Sequence, residues 1–408
     1  MADSNFIASV DIGSSKIVVL LAELKNNRVE VFGYGQADSD GVRRGVVENA
    51  KKVAKVIKKI KKEVIKEYGA DFQNVSVNIS DPNLKVLNQS AHTHVPSGRV
   101  RDSELNTVVK IIESIIKTKM PDNHQDINKV THHYTLDANP EPINQPLGKK
   151  ADNLGVSMHI VTASNHHVEA VENSIHWSNL GSSSMVPNSM ASSKPCLTQD
   201  EKDKGVCLVD IGSGVTDLSV FKQGSIFYSG SLQFGVKQAT QDISEAFNTS
   251  FQEAERLKIE HGQAQVKLGA DRLIKFQQID DSNYYYLSHE SLIEVIRQSY
   301  LVLFKLIRAK LNDQNLYRSL KSGLVLVGGG AKMTDCDKLM HSLYKKKVKV
   351  GRVNTDLISA KYEWLGPEYA CALGLLLFGL DDFESESSGK SNNSFLGKMG
   401  VIKRFKIL

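Results

Sequence analysis

The chain carries the same acidic, glycine-containing turn twice, about two hundred residues apart: Asp11-Ile12-Gly13-Ser14-Ser15-Lys16 and Asp210-Ile211-Gly212-Ser213-Gly214-Val215-Thr216-Asp217. Each copy follows a short apolar run, Phe6 to Val10 and Gly205 to Val209, and each precedes another, Ile17 to Leu21 and Leu218 to Phe221. Apolar runs of this length joined by a tight polar turn predict two β-hairpins. Glycine lets backbone N–H groups come close to a phosphate, hydroxyls add donors, and the leading aspartate, Asp11 or Asp210, suits a hydrated Mg2+. The duplication therefore points to two facing hairpins that clamp one triphosphate. Taken alone, either turn reads more readily as ordinary hairpin closure, since aspartate and glycine are common hairpin residues.

Two more segments favour a nucleotide. The apolar run Gly323 to Val327 leads into Gly328-Gly329-Gly330-Ala331-Lys332-Met333, a glycine cluster at a strand end that opens a helix and offers bare backbone to a base or ribose. Before it lies Glu253 to Gly262, in which Glu255 and Lys258 sit three apart on one helix face, placed to grip a ribose and an adenine edge. ATP with Mg2+ is the expected ligand.

These residues resemble the phosphate-1, phosphate-2 and adenosine motifs of the actin-like ATPase superfamily. Within it the chain is similar to the FtsA family of bacterial cell-division proteins. The likeness extends to Gly41-Val42-Arg43-Arg44-Gly45-Val46-Val47, His159 to Thr162, Ala191-Ser192-Ser193 and Pro367 to Leu376. The resemblance implies duplicated ribonuclease-H-like α/β domains and adds Gly235 to the nucleotide-binding set. It also implies this organisation: 1–83 and 163–200 as subdomain 1A, 84–162 as the inserted subdomain 1C, 201–238 and 322–380 as 2A, and 239–321 as 2B. Residues 381–393 are expected to be a disordered linker and 394–408 an amphipathic membrane-targeting helix.

Patterning agrees with that organisation. The insert shows a helical stretch, Asp102 to Lys119, and strand-like runs at Lys129 to Leu136 and Val156 to Thr162, separated by the proline-rich Asn139 to Pro146. A helical stretch containing Ser291 to Leu311 falls in 239–321. Tyr369 to Leu380 is uncharged but far short of the about 20 apolar residues that span a bilayer, and reads as a buried helix.

Composition describes an ordinary globular protein: 408 residues, 41% hydrophobic and 24% charged. Asp11 and Lys16 interrupt any early signal-like apolar stretch, so the chain is expected in the cytosol. Cys196, Cys207, Cys336 and Cys371 have no C-x-x-C spacing, which argues against a zinc site or a disulfide framework. Lys51 to Val64 places Val53, Val56, Ile57, Ile60 and Val64 at helical spacing with lysines elsewhere. The main reading is a surface helix with a solvated lysine face, with an accessory attraction to anionic lipid as the alternative. No arginine or aromatic residue interleaves these lysines, so nucleic acid is not expected.

The end of the chain changes character twice. Asp381 to Asn393 is acidic and serine-rich, as a disordered tether would be. From Ser394 a helix would gather Phe395, Leu396, Met399, Ile402 and Phe405 on one side, with Lys403, Arg404 and Leu408 completing an apolar, cationic segment. That is the form of an interfacial membrane helix, although Gly397 and Gly400 weaken its propensity in water.

The second turn departs from the family pattern at Ser213 and Val215, and Val215 has no hydroxyl to donate to a phosphate. At most slow ATP hydrolysis follows. Asp210 and Asp217 are the carboxylates nearest to a water-activating role, although Asp217 reads equally as a hairpin-closing residue. The family binds the C-terminal peptide of the tubulin-like protein FtsZ through subdomain 2B. Here Ser299 stands where some relatives have arginine, while Arg297, Lys305 and Arg308 remain for a cationic groove, or are simply solvated charges. The resemblance also implies self-assembly into filaments, contacts with other division proteins through 1C, and a place on the cytoplasmic face of the bacterial inner membrane at the division site. A pilus-assembly scaffold or a small-molecule kinase of the same superfamily are the rival readings.

Overall fold

In the computed structural model, residues 6–387 are described, except 27, 138, 144, 266–271 and 280–282. Both expected hairpins form, and each seeds a sheet of the same plan. In the first sheet the strand order is Gly181–Pro187, Asn74–Ile79, Phe6–Ile12, Lys16–Lys25, Arg28–Asp38 and Ile358–Ser359. In the second it is Ser225–Leu232, Thr216–Lys222, Val206–Ile211, Gly323–Val327 and Val348–Val350. In each sheet three antiparallel strands adjoin two parallel ones beside the first strand of the hairpin, and the first sheet adds Ile358–Ser359 parallel to Arg28–Asp38 on its other edge. The two turns close alike, Gly13 N donating to Lys16 O at 3.0 Å and Gly212 N to Val215 O at 2.9 Å.

The sheets face each other across two helices, Asn188–Cys196 and Ala370–Ser387. Those helices bury Met190, Ala191, Leu373, Leu376 and Leu380 against Val18 and Leu20 of one sheet and Leu208 and Val325 of the other. Gly374 allows this approach, since a Cβ there would stand 1.9 Å from the Ala191 carbonyl oxygen. The closing helix corrects two expectations. It continues through Ser387, so 381–387 of the expected tether are helix, while 388–393 lie outside the described residues; Lys194 pairs with Asp381 and donates to Leu377 O at 2.9 Å. Residues 358–387 also return to the first sheet rather than staying with the second half, Ile358 pairing with Val29 and Ser9 Oγ donating to Ala372 O.

Ala50–Tyr68 is the lysine-rich helix, capped by Asn49 accepting from Lys52 N and closed by left-handed Gly69. It buries Val53, Ala54, Ile57, Ile60 and Val64 on the outer face of the first sheet. Ala54 takes the core place expected of Val56, which is only partly buried. Between strand Asn74–Ile79 and helix Asn165–His176 a separate unit is inserted. Its sheet runs Lys85–His94, Asn153–Ser164, His124–Leu136, Asn139–Ile143, covered by helix Asp102–Lys119. The proline-rich segment thus supplies an edge strand, the place in a sheet that tolerates proline. In the second half, helices Lys237–Ala246, Phe251–His261 and His289–Asp313 pack on the far face of the sheet with a small hairpin, Leu273–Gln277 and Tyr284–Ser288.

Candidate functional site

The two turns, the glycine cluster and helix Phe251–His261 converge on one cleft of 540 Å3. Asp11, Gly13, Ser14, Ser15 and Lys16 line one wall, and Asp210, Gly212, Ser213 and Val215 the other. Gly328, Gly329, Gly330 and Met333 with Glu255 and Lys258 form the adjoining end. Lys258 Nζ donates to Glu255 and to Thr240 Oγ1, both at 2.7 Å, and burial lowers its pKa. Tyr300 Oη donates to Gly330 O at 2.9 Å from below and fixes the glycine cluster. A side chain at Gly329 would enter open space, whereas Gly330 lies against Ile211 and Val236.

Five expected residues stand behind the cleft rather than on it. Thr216 is buried and donates to Phe234 O. Gly235 backs the second turn, a Cβ there meeting Ser213 O at 2.4 Å. Gly214 faces Arg44 and Ser14, and Ala331 is buried in the second half. Asp217 is held from the opposite half by Ser80 Oγ, at 2.9 and 3.1 Å from its two oxygens. Strand alternation explains Thr216, and turn geometry the glycines, because adjacency in a motif does not put every side chain on one face.

Residues that sequence reading missed complete the site. Asn78 Nδ2 donates to Asp11 at 2.8 Å and to Asn188 Oδ1 at 2.9 Å, and Ser192 donates to Asp210 at 2.5 Å. Ser14 Oγ accepts from Gly45 N at 2.8 Å, bringing the turn at Gly41 to Gly45 over the cleft. Lys16 lies 4.1 Å over the Tyr369 ring, and Lys332 pairs with Glu368 at 2.5 Å. The segments Gly41 to Gly45, Ala191 to Ser193 and Pro367 to Cys371 carried a motif signal. Asn78, Ser80 and Asn188 carried none, being polar residues brought in by distant strand ends.

Burial is the leading cause that raises the carboxylates, Asp11 to about 7, Asp210 to about 6 and Asp217 to about 7. The Asp210 charge adds to the rise at the other two. Among the described residues none of the three forms an ion pair, and no group of three His, Cys, Asp or Glu side chains is arranged to hold a metal directly. Such a donor set fits a cation approached through water and brought by a phosphate ligand.

Outside the cleft, the expected cationic groove is largely engaged elsewhere. Arg297 bonds Glu294 at 3.1 Å, and Arg308 donates to Leu343 O at 3.0 Å and lies over the Tyr317 ring. Lys305 is exposed, and Ser299 is buried, donating to Asp242 and to Val295 O. Phe395, Leu396, Met399, Ile402, Lys403, Arg404, Phe405 and Leu408 lie outside the described residues. No described helix is long and apolar enough to cross a membrane.

Comparison with known proteins gives the kinship. The sequence profile described as "Cell division protein FtsA" matches residues 207–374, and that of the "SHS2 domain inserted in FTSA" matches 82–162. The cell division protein FtsA of Pseudomonas aeruginosa is 30% identical over 413 aligned residues, covering 98% of this chain and 96% of the relative. The chain belongs to the FtsA family. The Escherichia coli K12 member is 25% identical, covering 92% and 91% of the two chains. The family assignment makes this an actin-like cell-division protein.

Solved structures agree on the fold. A type IV pilus biogenesis complex of PilM and PilN superposes with a TM-score of 0.66 at 19% identity, covering 92% of this chain and 98% of that one. MreB 5 of Spiroplasma citri bound to AMPPNP gives 0.51 at 13%, covering 95% and 98%. A profile of the type IV pilus assembly protein PilM also matches, at residues 132–266. The near full-length FtsA relatives favour division over the pilus reading.

Proposed function

We propose that this family member binds ATP in the cleft, assembles into filaments, and holds FtsZ filaments to the cytoplasmic face of the inner membrane at the division site. One observation carries the reading: two hairpin turns from opposite halves, each closed by the same glycine hydrogen bond, flank one cleft that also receives Glu255, Lys258 and the glycine cluster. Backbone donors of Ser14, Ser15 and Ser213, beside the two turn-closing glycines, suit the phosphates, and Glu255 with Lys258 suits the ribose and base edge. Mg2+ would be held through water by Asp11 and Asp210, and would supply charge neutralisation for the phosphates. ATP acts in this reading chiefly as an assembly switch that bridges two halves, with slow hydrolysis at most.

Membrane attachment rests on the sequence of 394–408, whose aromatic, aliphatic and basic residues suit an anionic interface. Filaments would bind more firmly than monomers because many weak anchors act together. The remaining proposals follow the family: FtsZ bound through 239–321, other division proteins through 84–162.

Fluorescent-ATP titration of the parent, Gly329→Arg and Asp210→Ala tests the cleft. Weakened binding in both variants is expected, and unchanged affinity in both would place the nucleotide elsewhere. Co-sedimentation with anionic liposomes, with and without ATP and FtsZ, tests attachment. FtsZ should pellet only when the intact chain is present.

A further inference from the structure

Helix Ala50–Tyr68 carries eight lysines and two glutamates, a net of six positive charges, against +5 for the whole chain. The positive charge of this protein is thus concentrated in one element. At 3.6 residues per turn, Lys51, Lys55, Lys58, Lys59, Lys62 and Lys66 fall within an arc of about 100° and along about 22 Å of helix. All six are exposed, and none forms an ion pair among the described residues. The ion pairs this helix does make use Lys52 with Asp40 and Lys61 with Asp71, off that arc or at its margin. Six like charges on one face repel one another, so they carry a standing cost unless a polyanion meets them.

Beside the stripe runs an open groove of 890 Å3, floored by Asn74 and Gly181 and rimmed by Lys55, Lys58 and Trp177. Trp177 is 39% exposed, and Lys51 Nζ stands 5.9 Å from its ring. A half-exposed indole next to lysine ammonium groups is the pairing found at a membrane interface. The absence of arginine from the stripe removes the planar fork that recognises individual carboxylates or phosphates, leaving a diffuse point-charge attraction. A straight, convex helix face also meets a flat surface along its length better than it encloses a peptide.

We propose that the lysine stripe of Ala50–Tyr68, with Trp177 at its edge, is a second membrane-contacting surface that lies on anionic lipid headgroups. It goes beyond attachment by residues 394–408 and is separable from it. The stripe orients the body and senses surface charge, whereas the apolar tail inserts.

The test uses the full chain and vesicles of phosphatidylglycerol in phosphatidylcholine, at about one third anionic lipid. Lys55→Gln, Lys58→Gln, Lys59→Gln and Lys62→Gln combined should lower affinity for these vesicles at least about tenfold at low salt and flatten its salt dependence. Affinity for neutral vesicles and for ATP should not change. Trp364 is buried, so a blue shift of tryptophan emission on adding anionic vesicles reports Trp177. That shift is expected in the parent and lost in the quadruple variant. Phe405→Glu in the full chain disables the tail alone and should leave a weak, salt-sensitive binding that the added lysine substitutions abolish. Unchanged vesicle affinity of the quadruple variant would overturn the proposal. So would a variant that binds vesicles normally but loses binding to polyglutamate, since the surface would then belong to an acidic protein.

Discussion

At the scale of single residues, the cleft depends on how closely two backbones approach. A Cβ at Gly214 would lie 2.8 Å from Arg44 Cα and 3.0 Å from Ser14 Oγ, across the gap between halves. Gly214→Ala must therefore push the two phosphate turns apart, a strain of about 1 to 3 kcal/mol. It should weaken ATP binding while leaving the separate sheets intact. A calorimetric titration beside a thermal melt checks this, and equal affinity would show that the halves already stand further apart in solution. Val215 has a packing role that its sequence position hid. Its methyls lie where a Cβ on Gly45 would come within 2.8 Å, so the missing hydroxyl is exchanged for an apolar contact under the turn at Gly41 to Gly45. The hydrogen bond from Ser80 to Asp217 gives a second residue-scale expectation. Ser80→Ala leaves a buried carboxylate short of donors and should cost about 1 to 3 kcal/mol, partly recovered by Ser80→Thr, as read by urea unfolding.

Elements were legible where their signal was local. Two apolar runs around a polar turn specify a hairpin without help from the rest of the chain, and helix Asp102–Lys119 keeps the bounds its periodicity sets. What failed depended on tertiary partners. Asp381 to Ser387 reads as acidic tether, yet it prolongs a helix already held between two sheets, with Lys194 beneath Asp381. Strand Ile358–Ser359 has only two residues and owes its existence to the edge offered by Arg28–Asp38. In the cleft, Asn78 reaches Asp11 across 67 positions of sequence and Ser80 reaches Asp217 across 137, distances over which no spacing rule operates. The helix pair between the sheets yields a prediction of its own. Gly374→Ala would drive a methyl into the Ala191 carbonyl, so about 3 kcal/mol of stability should be lost, measured by denaturant unfolding. Gly69→Ala meets no atom within 4 Å and should cost only its left-handed backbone, about 1 kcal/mol.

For the molecule as a whole, the contact between the inserted unit and the second half is the informative one. Asn88 Nδ2 donates to Phe227 O at 3.0 Å, which turns its Oδ1 toward His159 Nδ1 at 2.8 Å. His159 Nδ1 must then carry the proton, and Nε2 accepts from Ser229 Oγ at 3.1 Å. Ser225 Oγ donates to His132 O at 2.7 Å beside them, and the His132 ring stacks on both His159 and Phe227. Burial, with the neighbouring imidazole second, lowers His159 to about 3 and His132 to about 4. A depressed histidine gives stability that is present above its ordinary value of 6.5 and is lost as pH falls below it. Protection of 85–94 and 225–232 from hydrogen exchange should accordingly fall between pH 6.5 and 4, and His159→Gln should blunt that fall. The same unit is rooted in the first half, where Asp81 accepts from Asn83 N and Ser164 N at its two ends, next to the Ser80 that holds Asp217. The insert therefore works as a strap riveted to both jaws of a vice. The jaws cannot part without tearing one row of rivets, and whatever grips the strap from outside has a hand on the jaws.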